Sequence, residues 1–90
     1  MKKAVITVVG KDTVGIIARI CTSLSRRRAN ILDISQTIVS GYFNMMMVVD
    51  IGESADAFDA VAGDLAAIGR DMGLKIRCQN AEIFEKMHRI

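Results

Sequence analysis

Proline and tryptophan are absent from this chain of 90 residues, and it holds one histidine, two cysteines, one tyrosine and three phenylalanines. Without proline, and without any Gly/Ser-rich or single-sign stretch, it shows no sign of a linker or polar tail, so residues 1–90 are expected to fold as one domain. Cys21 and Cys78 form no Cys-x-x-Cys, and a single histidine cannot complete a metal framework. Two reduced core thiols are expected, with no metal, no cofactor and no disulfide scaffold. The apolar residues after Lys2-Lys3 meet Lys11 too soon for a signal peptide or a bilayer span. A cytoplasmic protein without a membrane partner is therefore expected. Charge of one sign is also lacking: 12 basic against 10 acidic residues leave a net charge of +2. Bulk electrostatics thus give no case for nucleic-acid binding.

What the chain has in quantity is apolar residues, 51% of the total. A chain this short still buries only a modest share of its surface, so a second copy would add to its stability. Lys3 to Val9 is rich in β-branched residues and apolar on both faces, as a central strand requires. Ile16, Ile17, Ile20, Cys21 and Leu24 mark one stripe of a helix over about 14–27, with Arg19, Ser23 and Arg26 on its polar face. From 31 to 39, Leu32, Ile34 and Ile38 alternate with Asp33, Ser35 and Thr37, the pattern of a strand with one wet face and a possible edge position. Ser40-Gly41 reads as a hairpin turn into a second central strand, 42–51, with Phe43, Met45, Met47, Val49 and Ile51 on one face and Met46 and Val48 on the other.

Ser54 is the expected N-cap of a second helix, with Asp56 in its first turn, Phe58, Val61, Ala62, Leu65, Ile68 and Met72 on its apolar face, and Gly73 at its end. Leu74 to Gln79 alternates as an edge strand. The order β-α-β-β-α-β and the right-handed crossover rule give an α+β, ferredoxin-like fold: a four-stranded antiparallel sheet, spatial order 4-1-3-2, with both helices on one face. Residues 81–90 carry Ile83, Phe84, Met87 and Ile90 at helical spacing, which predicts a short tail helix. The open sheet face would present Val5, Val9, Met46 and Val48, a patch for this tail or a second subunit to cover.

Chemistry concentrates where the first strand passes through Gly10-Lys11-Asp12-Thr13-Val14-Gly15 into the helix beginning Ile16-Ile17. A helix start offers unpaired N–H groups and the positive end of the macrodipole, a setting for a carboxylate. Asn30 stands at the far end of the same helix. Asp12 could instead cap the helix, and Asn30 could be a turn residue tolerant of left-handed geometry. Arg26-Arg27-Arg28 reads as a solvated face that complements the helix dipole, with phosphate contact as the alternative. Met45-Met46-Met47 reads as adaptable packing, with thioether ligation of a metal as the alternative. His88 has no second ligand nearby and reads as a surface tail residue.

Gly10-Lys11-Asp12-x-x-Gly15-Ile16-Ile17, Asn30-Ile31-Leu32-Asp33-Ile34-Ser35-Gln36-Thr37 and Gly41-Tyr42-Phe43-x-Met45-Met46-Met47 together resemble the ACT domain, a small βαββαβ regulatory module, over essentially the full chain. The last two blocks resemble small stand-alone ACT proteins related to the ACT repeats of glycine-cleavage repressors and formyltetrahydrofolate deformylases. The resemblance implies an amino acid or similar small effector bound between paired subunits, a partner enzyme or transcriptional regulator that receives the signal, and no catalysis. It also implies effector contacts at Asp12, Gly15 and Asn30, with Ile16 adding a backbone N–H. A helix of about 14 residues separates Asp12 from Asn30 by on the order of 20 Å within one chain, so they can share a ligand only across a twofold. Val14 stands where many ACT domains have proline. Arg28 stands where a glycine often ends the first helix, so a positive φ there would cost on the order of 1 kcal/mol.

Other readings of the same topology are a protein-binding adaptor without a ligand, an RNA-recognition module and an acylphosphatase-like enzyme. The RNA module stacks bases on aromatics in both central strands, whereas 3–9 contains none. The acylphosphatase reading needs Arg19 and Asn30 to converge, and they sit at different levels of the same helix.

Overall fold

A computed structural model of the chain describes residues 2–54 and 56–81. In order, the elements are β1 (Lys2–Lys11), α1 (Ile16–Arg26), β2 (Asn30–Val39), β3 (Tyr42–Gly52), α2 (Ala57–Met72) and β4 (Lys75–Asn80). β1 pairs antiparallel with β3 on one side (Ile6 opposite Met47) and with β4 on the other (Ile6 opposite Cys78), and β2 closes the sheet against β3. The spatial order is β2-β3-β1-β4, the ferredoxin-like order expected from the sequence. The two strands that read as apolar are the two central ones, since only a strand paired on both sides sits over the middle of the core.

Both helices lie on one face of the sheet. Ala4, Ile6 and Val8 from β1, and Phe43, Met45, Met47 and Val49 from β3, form one core with Ile16, Ile20 and Leu24 of α1 and Val61, Leu65 and Ile68 of α2. Cys21 and Cys78 are free thiols, half-buried against this core. Burial pushes the Cys78 thiol above its ordinary range, because the thiolate loses its hydration there.

Several boundaries move by a residue or two for identifiable reasons. α1 begins at Ile16 rather than 14 because Gly15, at φ 90° and ψ 2°, is its N-cap in the left-handed region. At its other end Arg28 takes φ 58°, as the missing glycine implied. The Ala29 N–H bonds the Leu24 carbonyl at 2.9 Å and the Arg28 N–H bonds that of Ser25 at 3.0 Å, a Schellman closure. α2 starts after Asp56, not Ser54, and no side chain caps it; the Ser54 hydroxyl instead accepts from the Asp56 N–H at 3.4 Å. β4 begins at Lys75 because Leu74 is spent closing α2, its N–H bonding the Gly69 carbonyl at 2.8 Å. Leu74 then packs over β1, where a Cβ at Gly10 would lie 2.6 Å from its Cδ2.

β2 departs further from its expected alternation. Its register slips between Ile31 and Asp33, so Leu32 is the extra residue of a β-bulge and leaves the Ile34/Ile38 face. Beyond it, Ile34 and Ile38 oppose Met47 and Phe43, while Asp33, Ser35 and Thr37 oppose Val48, Met46 and Asn44 on the open face. The hairpin to β3 uses Ser40 (φ 52°) and Gly41 (φ 80°), positive φ at both central positions, which matches strand twist. On the open face Val9 and Met46 are exposed as expected, but Val48 is half-buried and Val5 is buried. At that end of the sheet β4 runs out opposite Ala4, and the following Ala81 is buried as well. The expected tail helix over 81–90 lies, apart from Ala81, outside the described residues.

Candidate functional site

The β1–α1 loop is fixed at both ends. Asp12 donates its backbone N–H to the Gly41 carbonyl at 2.9 Å, tying the loop to the β2–β3 hairpin, and the Thr13 hydroxyl donates to the Lys11 carbonyl at 3.1 Å. Gly15 then turns the chain into α1, whose first intrahelical bond runs from the Arg19 N–H to the Gly15 carbonyl at 3.0 Å. No side chain caps this helix and no acidic residue lies in its first turn. Its leading N–H groups, starting with Ile16, therefore keep their bonding capacity. Asp12 does not cap α1; it is exposed beside the helix start. Val14, at the loop tip, is 98% exposed.

Asn30 is the first residue of β2, opposite Asp50, and has no positive φ, so it is not a left-handed turn residue. Asp12 sits at the Tyr42 end of β3 and Asn30 at the Asp50 end, eight strand residues away, about 26 Å at the usual rise. The structure thus brings Asp12, Gly15 and Ile16 together and leaves Asn30 remote within one chain.

β2 runs from Asn30 toward the Asp12 end of the sheet. It is an edge strand, with one side of its backbone unpaired among the described residues. Every residue from Leu32 to Val39 is exposed, including Leu32 and Ile34 and, most openly, Ile38 at 59% and Val39 at 61%. Proteins normally blunt a long apolar edge or pair it.

The outer helix face carries a different pattern, which the sequence did not reveal. Arg27 reaches Asp64 of α2 through Nε to Oδ2 at 2.7 Å and Nη2 to Oδ1 at 3.2 Å, and Arg19 pairs with Asp71. Arg27 holds the Asp64 carboxyl below the usual carboxylate range by hydrogen bonding, and its own guanidinium is raised in turn. An open groove of about 670 Å³ runs between the two helices past these pairs, but Asp12, Gly15 and Asn30 do not line it. Arg19, which the acylphosphatase reading would need beside Asn30, points to Asp71 of α2 instead. Among the described residues no group of acidic, histidine or cysteine side chains could hold a metal ion, and no helix is long and apolar enough to cross a membrane.

A sequence model of the ACT domain matches residues 2–79. The chain belongs to the ACT domain family. It is 62% identical over 90 residues, covering all of both chains, to a UPF0237 protein of Bifidobacterium longum. Among solved structures it resembles an ACT domain protein from Streptococcus pneumoniae at a TM-score of 0.81, with 44% identity over 93% of this chain and 94% of that one. It also resembles the ligand-free regulatory subunit of aspartate kinase from Thermus thermophilus, at a TM-score of 0.64 and 21% identity over 87% of this chain and 50% of that one. At that identity the likeness is one of fold alone.

Proposed function

We propose that this ACT domain is a homodimeric sensor that binds an amino acid or similar small effector between subunits and signals its occupancy to a partner enzyme or transcriptional regulator. The observation that carries this reading is the unpaired β2 edge with its exposed Ile34, Ile38 and Val39. Antiparallel pairing of two β2 edges about a twofold sets the Asn30 end of one strand against the Val39 end of the other. Asp12 lies at that Val39 end, held to Gly41. The two residues that one chain keeps apart then face the same gap.

In this arrangement the effector carboxylate accepts from the backbone N–H groups of Gly15 and Ile16, and its ammonium is bound by the Asp12 carboxylate and the side-chain oxygen of the partner's Asn30. Binding at a subunit boundary can transmit a signal only by preferring one dimer arrangement over another. The start of α1, with no side-chain cap and no acidic residue in its first turn, supports the carboxylate subsite.

Calorimetric titration against an amino-acid panel, with the mass in solution measured in parallel, tests the reading. A dimer that binds at least one member, and loses binding but not dimerisation on Asp12→Ala, is expected. A dimer that binds none would favour the ligand-free adaptor, and a monomer would remove the shared site.

A further inference from the structure

The open groove of about 670 Å³ between α1 and α2 has a lining sorted by charge. Arg19, Thr22, Ser23 and Arg26 stand at i, i+3, i+4 and i+7, one stripe of α1, and all four line it. From Ile16 to Ala29 the chain carries four arginines and no acidic residue. The charges facing the groove do not balance. Arg19 is taken by Asp71, whereas Asp64 is shared: Arg27 bonds it directly, and the charge of Arg26 adds to the lowering of its carboxyl. Two guanidiniums thus attend one carboxylate. Among the described residues Arg26 has no carboxylate in ion-pair reach, and the Thr22 and Ser23 hydroxyls make no hydrogen bond.

Shape and mixed polarity narrow the occupant. The groove follows two turns of α1 from Arg19 to Arg26, about 10 Å, the length of about three residues of extended chain. Small-molecule sites bury most of their ligand, which so open a trough does not. A nucleic acid would find no aromatic side chain in the lining on which to stack a base, and would bring its phosphates against Asp64. A polypeptide meets every group present. Its carboxylates match Arg26 and Arg27, its backbone N–H groups can donate to Asp64, and its carbonyls can accept from the two hydroxyls. Ala18 and Ala67, one on each helix, let a backbone come close.

We propose that this groove docks an acidic segment of the partner protein, whose carboxylates pair with Arg26 and Arg27. The inference rests on the function proposed above only in that a partner exists, and it supplies the chemistry of that partner. Asp12, Gly15, Ile16 and Asn30 do not line the groove, so docking and effector binding are measured separately.

Fluorescence anisotropy on the full chain tests it, with a short labelled peptide alternating glutamate and alanine as the probe and its lysine–alanine counterpart as the control. The glutamate peptide is expected to bind and the lysine peptide not. Arg26→Glu should weaken binding about tenfold, as loss of a central arginine anchor does at protein interfaces. Ala67→Phe, which fills the groove without changing charge, should weaken it as well, while Lys75→Glu, exposed on β4 opposite Val9, should change it little. Circular dichroism on each variant shows that the fold is kept. An equal loss in Lys75→Glu would reduce the effect to bulk charge and overturn the proposal, as would no binding of the glutamate peptide. Binding of oligouridylate or inorganic pyrophosphate through Arg26, without the glutamate peptide, would replace the acidic segment with a phosphate ligand. A failure to bind any amino acid would leave each of these outcomes unchanged.

Discussion

Arg27, at the end of α1, grips the Asp64 carboxylate of α2 with two parallel hydrogen bonds, joining helices that are 37 residues apart in sequence at this point. The pair and its counterpart, Arg19 with Asp71, bridge the two helices on their solvent side. The Asp64 carboxyl titrates below its ordinary range in the folded chain. Its contribution is therefore present above the unfolded carboxylate pKa and is lost as pH falls through the lower folded value. Denaturant melts across the acid range should show that stability component disappearing in Asp64→Asn, whose profile should lie flatter than that of the wild type below about pH 4. Parallel profiles would mean the pair contributes nothing, as many exposed ion pairs do.

Arg28 carries a left-handed backbone at φ 58° in the Schellman closure of α1. Glycine relieves the Cβ conflict there, so Arg28→Gly is expected to raise stability by up to about 1 kcal/mol, less the entropy glycine adds to the unfolded chain. Equilibrium urea unfolding measures this. A loss of stability would mean the arginine side chain makes a contribution that outweighs its backbone strain.

Gly69 faces the strand that follows its own helix, where an added Cβ would lie 2.9 Å from the Leu74 carbonyl oxygen, a backbone atom with little room to yield. Gly69→Ala should therefore destabilise by about 1–3 kcal/mol despite alanine's better helix propensity. Gly63→Ala, in the same helix with nothing within 4 Å of the new methyl, should gain stability by about 0.5–1 kcal/mol. Opposite signs for the two substitutions in thermal melts are the expected result.

The Cys78 thiol, half-buried and pushed up by desolvation, should react slowly with an alkylating reagent at neutral pH. Its labelling should accelerate only above the ordinary thiol range, and should match a free thiol at once in denaturant. Rapid labelling of Cys78 in the folded protein at pH 7 would contradict the packing of β4 against β1.

The order of strands was legible because β1 and β3 carry apolar residues on both faces through their middles while β2 and β4 alternate, and the hairpin because Ser40-Gly41 can take two positive φ values. Arg28 could be anticipated because a backbone requirement survives when the residue that usually meets it is missing. The bulge at Leu32 could not: one inserted residue shifts every later side chain without altering composition. The capping role of Ser54 misled because serine also bonds two residues on, which is what it does with Asp56. The pairing of Arg27 with Asp64 depends on the rotation of two helices about their axes, which no local pattern encodes. At the site, Asp12, Gly15 and Ile16 were readable as a loop entering a helix. The edge position of the strand that Asn30 begins was legible too, from the alternation of 31–39.

The β2 edge offers a direct handle on assembly. Ile38→Lys places a charge on the exposed edge beside Phe43 of the neighbouring strand and should shift the protein toward monomer with its fold intact. Scattering and circular dichroism on one sample separate the two effects. An unchanged dimer would show that the copies meet elsewhere.

The shared pocket itself is tested most directly by mixing two inactive variants. Asp12→Ala and Asn30→Ala should each dimerise and each fail to bind an amino acid that the wild type binds. After unfolding and refolding together in equal amounts, half of the dimers are mixed, and each mixed dimer holds one site with Asp12 from one chain and Asn30 from the other. Binding should return to about a quarter of the wild-type site number. No recovery, in a sample shown to contain mixed dimers, would contradict a site built across the twofold.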